Sequence, residues 1–187
     1  MKLNLGCGKE TLDGWVNLDL VELPGVDIVF DLQKCRDSRI PINDDTVTHL
    51  FMSHLLEHIH DTLALMEELH RISKNGAIME IRVPHGSHNN TWEDPTHVKA
   101  YFEGSWQYYG QPVYSFADYG YRGDWHTDKI VLVANAANFP GRKQVLESVT
   151  FNRNLIHEMV AYMTAIKPIR EQGIACEGPA IEVQLTG

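Results

Sequence analysis

Short apolar runs alternate with turn-forming residues along the first third of the chain. Residues 2–6 (KLNLG) and 16–20 (VNLDL) read as strands separated by glycines and a polar turn. DIVFDL at 27–32 and VTHLFMS at 47–53 read as a third and a fourth, with Pro41 and Asn43-Asp44-Asp45 as punctuation between them. From about Asp61 to Lys74 the period becomes helical. Leu63, Met66, Leu69 and Ile72 recur every three residues and Leu65 widens the stripe, while Glu67, Glu68 and Arg71 take the other side. Asp61 supplies an N-cap, and Lys74-Asn75-Gly76 a stop. A fifth strand, AIMEIRV at 77–83, ends at Pro84, and its Glu80 and Arg82 share a face, where they would pair or sit near the sheet's rim. Strands alternating with turns and a helix predict a mostly parallel sheet. The stretch from Leu20 to Asp27 is short for a helical crossover, so a helix there is vestigial or absent.

From about 84 to 128 the pattern changes. Eleven of the seventeen aromatic residues fall between Trp92 and Trp125, interleaved with Gly, Pro and His and without period. That content argues against disorder and for a built insert. Tyr101, Trp106, Tyr108 and Tyr109 either wall a pocket or pack as a satellite core, and most are expected to pack on each other. Beyond it, KIVLVAN (129–135) and VLESVTF (145–151) look like strands joined by a turn at Asn138 to Gly141. Residues 153–166 read as a helix with Leu155, Met159, Tyr162 and Met163 on one side, and AIEVQL (180–185) is a period-2 closing strand.

Composition narrows the partners. A chain of 187 residues with 43% hydrophobic and 22% charged residues fits one globular domain. The formal charge of −9 and scattered Lys and Arg argue against nucleic acid. Cys7, Cys35 and Cys176 form no CxxC pair, and the sequence holds no apolar stretch of membrane-spanning length. The expectation is a cytoplasmic protein with no membrane partner.

The candidate chemistry begins at Gly6-Cys7-Gly8. Two glycines let the backbone approach a ligand closely, but the third glycine of a dinucleotide fingerprint is missing before Lys9-Glu10-Thr11. Asp19 ends the second strand, where it can accept ribose hydroxyls, and Asp31 ends the third, near an adenine amino group. A nucleoside without phosphates fits better than NAD.

LNLGCG, NLDL, DIVFDL, IPINDDTVTHLFMSHLLEHI and LHRISKNGAIMEIRVPH, in this order, resemble the motifs of class I S-adenosylmethionine-dependent methyltransferases. The likeness covers residues 2 to about 100 and is nearest to small methyltransferase-like proteins that begin at the first strand, with Pro-His and Asp-Pro-Thr-His after the fifth. The resemblance implies an α/β fold, a doubly wound, mainly parallel Rossmann-like sheet, here with an aromatic-rich insert after the fifth strand and an antiparallel closing strand. It implies one domain over 1–187: a cofactor-binding half at 1–84, an insert or acceptor lid at 85–128, and C-terminal strands and a helix at 129–187. The implied cofactor is S-adenosyl-L-methionine. Asn4, Leu5, Gly6, Cys7 and Gly8 would line its methionine end, Asp19 and Leu20 its ribose, Asp31 and Leu32 its adenine, and Ser53 and His54 its sulfonium, with Glu57 and His58 just beyond.

The chain departs from that family at Asn4, where many members carry Asp, and at Glu10, where many carry Gly. With no helix before the first strand, cover over the cofactor would fall to the insert or to a partner subunit in a homo-oligomer. The implied activity is methyl transfer to a small-molecule acceptor. Oxygen is preferred because no Asn/Asp-Pro-Pro-aromatic motif is present and seven of the ten histidines sit near the expected ligand edge. His54 and His58 are the first candidates for the base, His85 and His97 the second. His85-x-x-His88 with Asp94 and His97 offers metal-ligand types but meets no spacing template, so no metal is assigned. A non-catalytic cofactor-binding or interaction protein, and less so a nicotinamide-dependent oxidoreductase, are the alternatives.

Overall fold

The computed structural model describes residues 1–112, 120–138, 148, 152–171 and 177–186. Its first strands are β1 (Lys2–Leu5), β2 (Val16–Asp19), β3 (Ile28–Val29) and β4 (Val47–Ser53). Helix α1 (Thr62–Ile72) leads into β5 (Ser73–Pro84), and α2 (Asn90–Glu93) with a 3-10 turn at Glu103–Tyr109 lies in the insert. Strands β6 (Trp125–Asn135), β7 (Ile156–Ala165) and β8 (Ala180–Thr186) follow. The described strands form one sheet in the order β3-β2-β1-β4-β5-β7-β6-β8. The order turns back at β1, so loops after β1 and β4 open at the same edge, where α/β sheets bind ligands.

Helix α1 starts as its pattern requires, with Asp61 Oδ1 accepting the Ala64 amide at 3.0 Å. Its Leu65, Met66, Leu69 and Ile72 are buried against Ala77, Met79, Ile81 and Val83, which alternate along β5. The helix stops at Ile72, where Ser73 Oγ donates to the Leu69 carbonyl at 2.7 Å. Lys74-Asn75-Gly76 is therefore no helix stop. It bulges from the start of β5, between the pairs Val47↔Ser73 and His49↔Ile78. On the opposite face Arg82 Nε donates to Glu80 Oε1 at 2.8 Å, so these strand charges pair.

Two expectations are corrected. Residues 153–166 are not helical: β7 spans Ile156–Ala165 and runs antiparallel to both β5 and β6. Met159, Ala161, Met163 and Ala165 alternate onto the core face, and hydrogen bonding to a neighbour on each side overrides the helical propensity of Ala and Met. The closing strand β8 is not antiparallel to its neighbour; it pairs in parallel with β6, from Lys129↔Ala180 to Asn135↔Thr186. Because β7 runs backwards, it ends at the edge where the parallel strands begin, and β8 starts from that same edge. The strand expected over 145–151 lies outside the described residues except for Ser148.

The insert belongs to the main core rather than to a satellite. Tyr101, Trp106, Tyr109, Tyr121 and Trp125 are buried in the same cluster as Leu65 and Met79, with Tyr101 stacked on Trp106 at 5.1 Å. Tyr108 stays exposed. Residues 113–119 lie outside the described part. Fully buried Asp124 ties the insert down: it accepts from Arg170 Nη2 at 2.7 Å, from Arg170 Nε and the Arg170 amide at 2.9 Å each, and from the Gln111 amide at 3.1 Å. Burial alone would push its carboxyl up, but Arg170 and these amides hold it below the ordinary carboxylate range.

Asp124→Asn is expected to destabilise the protein by about 2–4 kcal/mol near neutral pH, since Arg170 loses its counter-charge in a partly buried site. A carboxyl lowered by folding stabilises above its unfolded pKa and loses that contribution as pH falls through the folded one. Urea unfolding should thus show the wild-type advantage in full at pH 7 and shrinking below about pH 4. An advantage independent of pH would contradict this role.

Candidate active site

Residues 6–15 join two adjacent parallel strands without a helix. Gly6 and Gly8 take φ of +62° and +51°, a region open to glycine at little cost. A Cβ on Gly6 would stand 2.8 Å from Leu55 Cδ1. The Cys7 amide donates to the Leu18 carbonyl at 3.1 Å and the Gly8 amide to Asp19 Oδ2 at 2.7 Å, folding the loop over the end of β2. Asp19 Oδ1 accepts the Val21 amide at 3.0 Å. A carboxylate has about four acceptor positions, so Asp19 keeps capacity for two hydroxyls.

These residues open onto a cavity of about 250 Å³ lined by Gly6, Asp19, Leu20, Phe30, Asp31, Leu32, Gln33, Leu55, His58 and Ile59. Asp31 caps the 3-10 turn Leu32–Lys34, with Oδ1 accepting the Gln33 amide at 3.1 Å. Gln33 Nε2 donates to the His58 carbonyl at 2.7 Å and its Oε1 accepts the His60 amide at 3.1 Å. One side chain thereby fixes the opposite wall. The sequence reading missed Phe30, Gln33, Leu55 and Ile59; the last two belong to the apolar run LLEHI, and nothing local marked Gln33.

Five expected cofactor residues, Gly6, Asp19, Leu20, Asp31 and Leu32, meet around this cavity. Leu5 and Cys7 are buried beneath the loop, and Gly8 reaches the cavity only through its bond to Asp19. The Cys7 thiol is pushed up by burial and by the Asp19 charge, which makes it a poor nucleophile. Asn4 does not line the cavity. Its amide donates to the Glu10 carbonyl and to Asn17 Oδ1, both at 3.0 Å, so it braces the loop from below. Ser53 ends β4 and His54 follows it, both outside the lining.

The four candidate histidines separate. His54 sits at φ +51°, a sharp left-handed turn that swings its ring toward β7. Its Nε2 bonds Glu158 Oε1 at 3.1 Å and its Nδ1 stands 3.3 Å from Glu57 Oε1. Glu158 first, then Glu57, raise it to about 9, so it is a cation at neutral pH. His58 alone of the four lines the cavity. His97 packs edge-on to it with ring centres 4.7 Å apart. His85 is buried between Ser87 Oγ at 2.8 Å and Glu103 Oε2 at 3.4 Å. His85 and His88 do not join Asp94 and His97 in one ligand set; the described trio with metal-ligand proximity is Glu57, His58 and His97.

Strands in the order β3-β2-β1-β4-β5-β7-β6 with β7 reversed make a Rossmann-like α/β sheet, in which a two-glycine loop faces an acidic residue at the end of β2. Residues 3–81 match the family model described as a methyltransferase domain. No curated protein matches the sequence. A chain from the Haloferax volcanii complex of the Trm112 methyltransferase activator with a methyltransferase superposes with a TM-score of 0.54 at 16% identity, covering 88% of this chain and 82% of that one. An S-adenosylmethionine-dependent methyltransferase from Archaeoglobus fulgidus gives 0.53 at 16% identity, over 87% and 85%. Another from Mesorhizobium loti gives 0.53 at 12%, over 87% and 90%. At these identities the likeness establishes the fold. Among the described residues, no helix is long and apolar enough to cross a membrane.

Gly6→Ala puts a side chain where φ is +62° and pushes Leu55 into the cavity. It is expected to destabilise by about 1–2 kcal/mol and to weaken S-adenosylhomocysteine binding, read by denaturant unfolding and calorimetry. Unchanged affinity in a folded variant would remove this loop from the site.

Proposed function

We propose that the chain transfers a methyl group from S-adenosylmethionine to a small-molecule acceptor, preferentially to a hydroxyl oxygen. The observation that carries this reading is the cavity in which Gly6, Asp19, Asp31 and Leu32 face His58. Bound there, S-adenosylmethionine supplies a carbon already activated by positive sulfur. The residues then have to hold the ribose, border the adenine, align the acceptor and deal with its proton.

Asp19 holds the ribose hydroxyls, and Phe30, Leu32 and Ile59 give the adenine an apolar slot with Asp31 at its rim. Protonated at neutral pH, His54 cannot take a proton; it orients Glu57 and Glu158 instead. His58 and His97 form the pair that acts on the acceptor's hydroxyl. The insert at 85–128 is read as the acceptor lid, since it delivers His97 to the cavity's edge; a second copy of the chain is the other candidate for cover. Cys7 and Cys35 are free thiols, in keeping with a cytoplasmic setting.

Release of S-adenosylhomocysteine from S-adenosylmethionine, measured across a panel of hydroxylated and amine acceptors, tests the reading. Acceptor-dependent release is expected, and its loss by about 100-fold or more in His58→Ala, with cofactor affinity within about threefold. Asp19→Ala should instead weaken S-adenosylhomocysteine binding by about 1.5–3 kcal/mol. No acceptor-dependent release would favour a binding protein without catalysis, and full turnover in His58→Ala would move the proton to another group.

A further inference from the structure

The 3-10 turn Leu56–His58 and the insert bring three side chains together beside the cavity. One ligand atom each from Glu57, His58 and His97 lies within 4.8 Å of the others. The Glu57 side chain is 1% exposed, yet neither of its oxygens accepts a hydrogen bond. His54 Nδ1 comes within 3.3 Å of Oε1 but outside hydrogen-bonding geometry. His54 offsets part of the Glu57 charge, but a buried carboxylate whose oxygens accept no hydrogen bond is costly, and a metal ion is one of the few further partners that relieve it.

The hydrogen bonds around the two rings fix their tautomers. His97 Nδ1 bonds the Thr91 carbonyl at 3.0 Å; a carbonyl only accepts, so Nδ1 carries the proton and Nε2 keeps its lone pair. Thr96 Oγ1 donates to Asp94 Oδ1 at 2.6 Å and therefore accepts from His58 Nδ1 at 3.0 Å. His58 Nε2 is free in the same way. Rings held at one nitrogen by a carbonyl or by a carboxylate-linked hydroxyl, with the other nitrogen open, are the outer-shell pattern of metal-binding histidines. Asp94 Oδ2, 3.8 Å from His97 Nε2, is a further oxygen within reach.

We propose that Glu57, His58 and His97 bind a divalent transition-metal ion, zinc by the chemistry of two imidazoles and one carboxylate. Bonds of about 2.0–2.1 Å require the three atoms to close by roughly 1–1.5 Å, within the reach of side-chain rotation. Three protein ligands leave a position open. An acceptor's hydroxyl oxygen entering it would release its proton to water, the ion doing what a free imidazole would otherwise do. Only this last role rests on the proposed methyl transfer; ion binding does not.

Zinc ion is titrated calorimetrically into chelator-treated full-length protein, and cobalt ion is followed by its visible absorption. One equivalent is expected to bind, with affinity falling by at least ~100-fold in His97→Ala and Glu57→Gln and unchanged in Cys35→Ser. Should the buried Glu57→Gln fail to fold, His97→Ala, checked by thermal unfolding, decides alone. No stoichiometric binding, binding untouched in His97→Ala, or binding lost in Cys35→Ser overturns the site. Such a failure leaves the methyl-transfer reading standing. Intact zinc binding without turnover on any acceptor would overturn that reading and not this one.

Discussion

Everything at the cofactor end depends on a buried amide. Strands β1 and β2 are parallel neighbours, and parallel strands ordinarily need a crossover of a dozen or more residues, usually a helix. Here residues 6–15 make the passage without one, and Asn17 replaces the helix. Its Oδ1 accepts from Asn4 Nδ2 at 3.0 Å and from the Leu12 amide at 2.9 Å, and its Nδ2 donates to the Leu12 carbonyl at 3.3 Å. Its own backbone amide donates to Asp27 Oδ2 at 2.8 Å, which fastens the next short connection as well. With both passages pinned from inside, Gly6 and Gly8 stand over the end of β2 and Asp19 closes the loop from below. The bonds are buried or half-buried, where an unpaired amide would be expensive. These bonds hold the loop in place without a helix behind it.

The opposite side of the cavity is organised differently. The opposite wall is a 3-10 turn, held by Gln33 through the His58 carbonyl and the His60 amide. The insert reaches the same wall: the Val98 amide donates to the Glu57 carbonyl at 2.8 Å, and Tyr101 donates to the Leu56 carbonyl at 3.3 Å. Tyr101, Trp106 and Trp125 are part of the main core, and the same segment sets His97 against His58 with ring centres 4.7 Å apart. The cavity is therefore walled by two supports, a glycine loop braced by amides and a turn clamped by an aromatic insert.

The first half of this arrangement was legible in the sequence because its signals are local. Alternation marks β4 and β5, Asp61 marks the start of α1, and glycines facing an acidic strand end mark the loop. The failures came where partners decide. IHEMVAYMTA satisfies a helical period and an alternating one alike, and the strands on either side of β7 settle the choice. The direction of β8 is set by where β7 ends, which no local pattern carries. Asn4 stood for a lost charge toward the cofactor when read against the family, yet it is the brace of the loop, since its partner Asn17 is thirteen residues away. Glu57 and His97 were visible as residue types, but their convergence depends on the insert folding back, and a spacing rule could not show it.

The central claim is that this helix-free loop seats an S-adenosyl nucleoside. Its most direct test is calorimetric titration of the wild-type protein with S-adenosylhomocysteine, with NADH titrated in parallel. The account predicts one site with a dissociation constant on the order of micromolar for the thioether and no heat beyond dilution for NADH. Binding of NADH in its place, or of neither, would contradict it.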